Sequence, residues 1–296
     1  MPGFAGVVLA GGRSTRMGSP KAALEWHGST LLRRTAGILG RFGPVVVVRA
    51  AGQHLPALPA QIRVVDDARE GKGPVQGIAT GLAAIGDQAD FAFVVSTDLP
   101  FLHPAFVRRM LHAAADAAAD VALPLARGFP QPLAAAYRTT LAAAAERLAA
   151  ADRLRPAFLF DECSVLRLDD AALLTDPALA AFDPALDSVL NVNEPAGYRA
   201  ARERPPPEVT VELLGTLAAG AGGPVAVRAA TVGEAADAIG VALSEHVVAA
   251  LNGEAIAGDA HEPLAAGDTV FFLAEDAGAD RRGIVGPGWH QPRNPA

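Results

Sequence analysis

Phe4–Lys21 reads FAGVVLAGGRSTRMGSPK. Its first six residues are short, apolar and glycine-bounded, as in a strand buried on both faces. The run drops into Gly11–Gly12, and Arg13, Arg16 and Lys21 then bring three positive charges to one loop. Glycine lets backbone N–H groups approach an anion with no Cβ in the way. Arginine grips two oxygens at once, whereas lysine acts as a point charge. The stretch therefore predicts a phosphate cradle just beyond a strand end. A glycine-rich turn carrying solvated charges is the competing reading of the same residues.

The pattern repeats outward from this loop. Val45–Val48, Ile62–Val65 and Phe91–Val95 read as further buried strands. Helices are expected over Thr30–Leu39, Val75–Ile85 and His103–Ala119. Apolar strands alternating with helices predict an α/β fold, a Rossmann-like, mostly parallel sheet with helices on both faces. Ligands of such sheets sit beyond the carboxyl ends of the strands. Gly11–Gly12, Asp67 and Asp98 all follow strand ends, so three distant segments meet at one mouth. Beyond Leu123 the signal weakens to a strand over Pro132–Tyr137 and helices over Thr139–Ala151 and Glu194–Glu203.

Pro205–Pro207 stiffen a linker and cannot continue a helix. The expected organisation is a first domain over 1–204, the linker over 205–207, a small second domain over 208–279 and a disordered tail over 280–296. In the second domain Val209–Leu213, Val225–Val227, Val248–Leu251 and Thr269–Leu273 read as strands. Thr231 and Glu234 set up a capping box for one helix, which Gly240 stops.

The 296 residues carry a net charge of −7, and 51% are hydrophobic. This balance speaks against a general nucleic-acid binder but allows a local basic pocket. A single cysteine, Cys163, permits no internal disulfide and fits a reducing compartment. No apolar run nears the ~20 residues of a membrane span, so a cytoplasmic protein without membrane partners is expected. His27, His54, His103 and His112 fall outside every motif and read as surface or capping residues.

Two common nucleotide motifs fail. A Walker loop needs glycine and lysine where Arg13 and Ser19 stand. The dinucleotide fingerprint starting at Gly71 has Gln76 in place of its third glycine. What remains, L-A-G-G-x-S-x-R-M-G-x-x-K over Leu9–Lys21, resembles the signature of nucleotidyltransferases similar to molybdenum cofactor guanylyltransferase, within the wider nucleotide-diphospho-sugar transferase-like group. The resemblance covers roughly the first two-thirds of the chain. It implies nucleotide contacts from Leu9, Ala10, Gly11, Gly12, Arg13 and Lys21, with Arg16 on the triphosphate. V-V-D-D-A-R-E-G-K-G-P-V-Q-G-I resembles the family's Asp-then-GPLAGI stretch and implies Asp67 as a base or ribose contact, Asp66 being the neighbour it is confused with. V-V-S-T-D-L-P implies Asp98 as the Mg²⁺ ligand. G-F-P-Q-P-L and N-V-N-E-P resemble acceptor-side segments, implying Pro132, Asn191 and Asn193 near the acceptor. Glu194 replaces the family's threonine, and Arg49-Ala50-Ala51 stand where guanine-selective members tend to carry an asparagine. The implied reaction is Mg²⁺-dependent transfer of a nucleotide, GMP from GTP, to the phosphate of a molybdopterin-type acceptor, with Arg16, Lys21 and Asp98 catalytic. CTP as donor, another phosphorylated acceptor, and a non-catalytic scaffold are the alternatives.

V-T-V-E-L-L-G, T-V-G-E-A, A-L-N-G-E and L-A-A-G-D-T-V-F-F-L resemble the β-grasp (ubiquitin-like) sulfur carriers, among them the small subunit of molybdopterin synthase. Those work through a free terminal Gly-Gly, whereas Gly278 is followed by alanine and 18 residues remain after it. The resemblance therefore implies a docking domain for cofactor-assembly proteins, with sulfur carriage as the alternative.

Overall fold

The computed structural model describes residues 2–11, 20–67, 69, 71, 73–218, 222–244, 246–256 and 259–274. Gly12, Arg13 and Arg16 of the expected cradle, Gly278 and the tail Asp280–Ala296 lie outside the described residues. The chain divides into two compact units, Met1–Trp26 with Thr30–Arg202, and Glu203–Ala296 with His27–Ser29.

In the first unit the chain runs β1 (Phe4–Leu9), α1 (Leu31–Gly40), β2 (Val45–Arg49), β3 (Arg63–Asp66), α2 (Gly73–Ile85), β4 (Phe91–Ser96), α3 (Pro104–Asp116), β5 (Val121–Ala126), β6 (Phe129–Pro130), β7 (Ala134–Arg138), α4 (Ala142–Ala150), α5 (Pro156–Phe160), β8 (Val165–Asp169), α6 (Asp170–Leu173), α7 (Pro177–Phe182) and α8 (Pro195–Arg202). Its main sheet has the order β8-β5-β7-β4-β1-β2-β3, with β6 paired to β5. β1 lies parallel to both β2 and β4, β2 to β3 and β8 to β5. β7 is antiparallel to β4 and β5. The sheet is thus mixed and parallel-rich.

Each face of the sheet has its own cover. Val7, Val46, Val48, Ala92 and Val94 pack with Ile78, Leu82 and Leu148 in one buried core beneath α2 and α4. On the other face Leu39 of α1 lies against Gly6, where a Cβ would come within 2.6 Å of it. Phe106 of α3 meets Phe93 edge-on there. Thr30 caps α1, its hydroxyl accepting from Arg33 N at 3.2 Å, as its sequence position requires. His103 caps α3 through Nδ1, which accepts from Ala105 N. α3 stops at Asp116, short of Ala119, because Ala118 turns into a positive φ of 50°.

α2 approaches β1 closely because glycines face the strand. A Cβ on Gly81 would sit 2.3 Å from Val7 Cγ1, and one on Gly77 3.2 Å from Leu9 Cδ2. Alanine at 81 improves helix propensity by about 1 kcal/mol, but overpacking a tight core costs about 1–3 kcal/mol. Gly81→Ala is therefore expected to lower the thermal midpoint; a midpoint at or above that of the parent contradicts this packing.

Three sequence expectations are corrected. The strand over Pro132–Tyr137 begins only at Ala134, because Pro132 and Leu133 complete the turn from β6, with Ala134 N bonded to Gln131 O. The helix over Thr139–Ala151 opens as a 3-10 turn, Thr139–Leu141, before α4; the Thr139 hydroxyl is spent on the carbonyls of Ala89 and Asp90. β5 and β8 went unseen. Pro124 interrupts the reading of β5 as a strand, yet its carbonyl still accepts from Gln131 N. Among the described residues no helix is long and apolar enough to cross a membrane.

The second unit is a five-stranded sheet of β9 (Glu208–Leu214), β10 (Val225–Arg228), β11 (Val247–Leu251), β12 (Glu254–Ile256) and β13 (Thr269–Ala274), with α9 (Val232–Ala238) between β10 and β11. The order is β10-β9-β13-β11-β12. The central pair β9–β13 is parallel and the others antiparallel. Val232, Ala235 and Ala236 of α9 pack with Val209, Val211, Ala249, Val270 and Phe272. Thr231 Oγ accepts from Glu234 N, and Glu234 Oε2 returns to Ala230 N at 2.7 Å. Asn252 and Gly253, with φ of 53° and 88°, turn β11 into β12, as an Asn-Gly hairpin does.

Candidate active site

β4 delivers Asp98 two residues beyond its carboxyl end. Lys21 begins a single 3-10 turn, Lys21–Ala23, after Pro20, and its Nζ donates to Asp98 Oδ2 at 2.9 Å. The same ammonium donates to Asn193 Oδ1 at 2.5 Å. Asn193 is brought there by the backbone: Val192 N donates to Asp98 O at 2.9 Å, and the Val192 side chain is buried with Leu31 and Trp26. Three segments of very different sequence position thus converge on one carboxylate. The side chains of Lys21 and Asp98 retain 21% and 13% of their exposure, so the pair is within reach of solvent.

Two supports of Asp98 were not legible in the sequence. Ser96 donates its hydroxyl to Asp98 Oδ1, a short bond that fixes the carboxylate plane. Arg34, nearly buried within α1, donates from Nε to Pro100 O at 2.6 Å and so holds the Leu99–Pro100 turn.

The other half of the mouth is built by the ends of β1, β2 and β3. Leu9 packs against Gly77, and Ala10 N donates to Val48 O at 2.8 Å. A Cβ on Gly11 would stand 3.2 Å from Ala50 N, which explains a glycine there. Gln53, a residue the sequence reading passed over, links two strand ends. Its Nε2 donates to Ala10 O and its Oε1 accepts from Ala50 N, both at 3.0 Å. Arg49 donates to Gln53 O, and Asp67 N donates to Arg49 O.

The aspartate pair separates here. Asp66 Oδ1 is held by Arg49 Nε at 2.7 Å, whereas Asp67 accepts a long bond from Arg69 N at 3.4 Å. Burial pushes the Asp67 carboxyl above the ordinary aspartate value; the Arg69 backbone bond opposes this, and the nearby Glu146 charge adds to it. Glu146 is itself engaged by Arg69 and by the buried Gln76.

Ser96 N donates to Leu133 O at 3.3 Å, setting the Pro132–Leu133 turn beside the end of β4. Pro132 O accepts from the buried Tyr137 hydroxyl. Asn191 is exposed. Of the expected site residues, the structure brings together Lys21, Asp98 and Asn193, and at the ends of β1–β3 Leu9, Ala10, Gly11 and Asp67; Gly12, Arg13 and Arg16 lie outside the described residues. Cys163 is half-buried, and burial raises its thiol to about 11, so it is no nucleophile.

The family model described as "MobA-like NTP transferase domain" matches residues 6–163. The chain is 40% identical over 188 residues to a probable molybdenum cofactor guanylyltransferase of Mycobacterium ulcerans, covering 62% of this chain and 92% of that protein. It is equally identical over 169 residues to one of Mycobacterium tuberculosis, covering 56% and 83%. Its fold is similar to that of molybdopterin-guanine dinucleotide biosynthesis protein A from Archaeoglobus fulgidus, with a TM-score of 0.53 and 22% identity over 67% of this chain and 97% of that one.

Proposed function

Because the chain belongs to the MobA-like NTP transferase domain family, we propose that it transfers GMP from GTP to the phosphate of a molybdopterin-type acceptor and releases pyrophosphate. The observation that carries this reading is the convergence of Lys21, Asp98 and Asn193 at the end of β4. The activity named for its relatives supplies the substrates.

The chemistry asks little of a general base. The acceptor phosphate is anionic at neutral pH; one of its oxygens forms the new bond to the α-phosphorus as the bond to the bridging oxygen breaks. The electron pair leaves with pyrophosphate, and no proton has to be removed from the nucleophile. Catalysis then consists of positioning and charge neutralisation. Ala10, Gly11 and Asp67 would hold the nucleoside end, with Leu9 beneath it. Lys21, Arg13 and Arg16 would neutralise the triphosphate, and the Gly12 backbone N–H would donate to it. Asn193, Asn191 and Pro132 would line the acceptor's approach.

Asp98 would hold a divalent cation, which we take as Mg²⁺. The one hard carboxylate of Asp98 would be completed by phosphate oxygens and water, an arrangement Mg²⁺ favours. When bound, the cation supplies electrostatic stabilisation of the charge developing on the leaving pyrophosphate.

We read the second unit as a β-grasp domain spanning 208–279, joined by the linker 205–207 to the transferase domain 1–204. Its central parallel pair and lone helix support this, and docking of cofactor-assembly proteins is the role we assign to it.

Pyrophosphate release from GTP, CTP and ATP with Mg²⁺, each with and without molybdopterin, tests the reading. Release is expected with GTP and only when acceptor is present. Release with CTP alone would overturn the guanine assignment, and no release from any nucleotide by folded protein would overturn the transferase reading.

A further inference from the structure

The Gly128–Leu133 turn carries a side chain that packing does not explain. Phe129 is 71% exposed, the most exposed large apolar side chain among the described residues. Phe182, also exposed, is at least stacked on His103. Yet Phe129 does not sit on a loose loop. It pairs with Ala126 across a two-residue turn whose central residues, Arg127 and Gly128, have φ of 55° and 82°. Both positions need a positive φ in such a turn, and arginine is a poor residue for the first.

That strained arginine is held from three sides. Arg127 N donates to Asp170 Oδ1 at 2.9 Å, and its guanidinium donates to Ala185 O at 3.0 Å and to Asp187 Oδ1 at 2.9 Å. A hairpin fixed in an unfavourable conformation by α6 and the segment after α7 presents an aromatic ring to solvent. Strain of this kind persists where the surroundings over-determine it, commonly at ligand sites.

The register places the turn that carries this ring at the same sheet edge as Asp98. Val95 pairs with Ala134, and β5 lies on the far side of β7, running the same way as β4. The turn after β5 therefore projects from the same carboxyl edge as Asp98, two strand spacings away, about 10 Å. Val121 and Leu123 of β5 point to the α2–α4 core, so Ala126 and its partner Phe129 belong to the opposite face. Val192, next to Asn193, packs on α1, which shares that face with α3.

Resting on the function proposed above, we propose that Phe129 is the stacking platform for the flat heteroaromatic rings of the acceptor, and a specificity-determining residue for them. The acceptor's phosphate lies at Asp98 and Lys21 while its fused rings lie against Phe129.

Direct binding of molybdopterin, followed by its pterin fluorescence, is measured alongside GTP-dependent pyrophosphate release for the parent, Phe129→Ala and Phe129→Tyr in the full chain. Stacking on an aromatic side chain is strong enough that Phe129→Ala should weaken molybdopterin binding about tenfold or more and raise the acceptor KM alike. Phe129→Tyr should restore both, with the GTP KM and the thermal midpoint unchanged. Molybdopterin binding by Phe129→Ala within twofold of the parent overturns the inference, as does an equal rise in the GTP KM. A variant altered only in oligomeric state overturns it too, marking Phe129 as a self-association residue. Parent protein that binds molybdopterin through Phe129 without releasing pyrophosphate defeats the transferase reading and leaves this inference standing.

Discussion

Asp98→Asn is expected to lower nucleotidyl transfer by at least ~10²- to 10³-fold, the scale seen when one charge-stabilising group is removed from a preorganised site. Asparagine keeps the shape and still accepts from Ser96, so the fold has no cause to change. The lost Lys21 pair is partly exposed, and such pairs contribute about 0–1 kcal/mol. The thermal midpoint should therefore stay within a few degrees while activity disappears. An amide oxygen is a weaker ligand for a hard cation than a carboxylate, so Mn²⁺ binding followed by paramagnetic resonance should weaken in parallel. Activity within threefold of the parent would remove Asp98 from the reaction.

Lys21→Met should carry the second largest loss, about 10²-fold in turnover. Its direction on metal binding is the more telling result. The Lys21 ammonium donates to Asp98 Oδ2 and to Asn193 Oδ1. An incoming cation must displace it and is repelled by it. Two unit charges about 4 Å apart interact by about 1 kcal/mol in water and about 4 kcal/mol near a protein surface. Removing the ammonium should therefore tighten Mn²⁺ binding to the nucleotide-free protein by about tenfold, while nucleotide binding weakens. Unchanged or weaker Mn²⁺ binding in Lys21→Met would contradict that account.

Legibility from sequence followed the physics of each element. β1, β2 and β4 are continuous apolar runs, and α1 carries its cap and apolar stripe in plain view, so the parallel half of the sheet could be read directly. β5 could not, because Pro124 breaks the pattern of a strand whose pairing is decided by the hairpin after it. Asp98 was legible as a strand-end carboxylate, and Lys21 as a charge in a glycine loop. Their contact was not, since 76 residues lie between them. Gln53 and Ser96 gave no signal at all. Gln53 bonds a group that only the fold brings near, Ala10 across the β1–β2 edge, whereas Ser96 bonds a carboxylate two residues on, a local contact that no pattern of residue types marks. That Asp66 pairs with Arg49 while Asp67 does not was likewise illegible, because the strand pairing of β2 and β3 is what brings Arg49 and Asp66 together.

The most direct test of the central claim follows the nucleotide itself. The full chain is incubated with Mg²⁺, molybdopterin and GTP labelled at the α-phosphate, and the products are separated and weighed by mass spectrometry. The account predicts that the label moves to the acceptor, whose mass rises by one GMP, in step with unlabelled pyrophosphate. Label remaining in free GMP or GDP, with the acceptor mass unchanged, would contradict it.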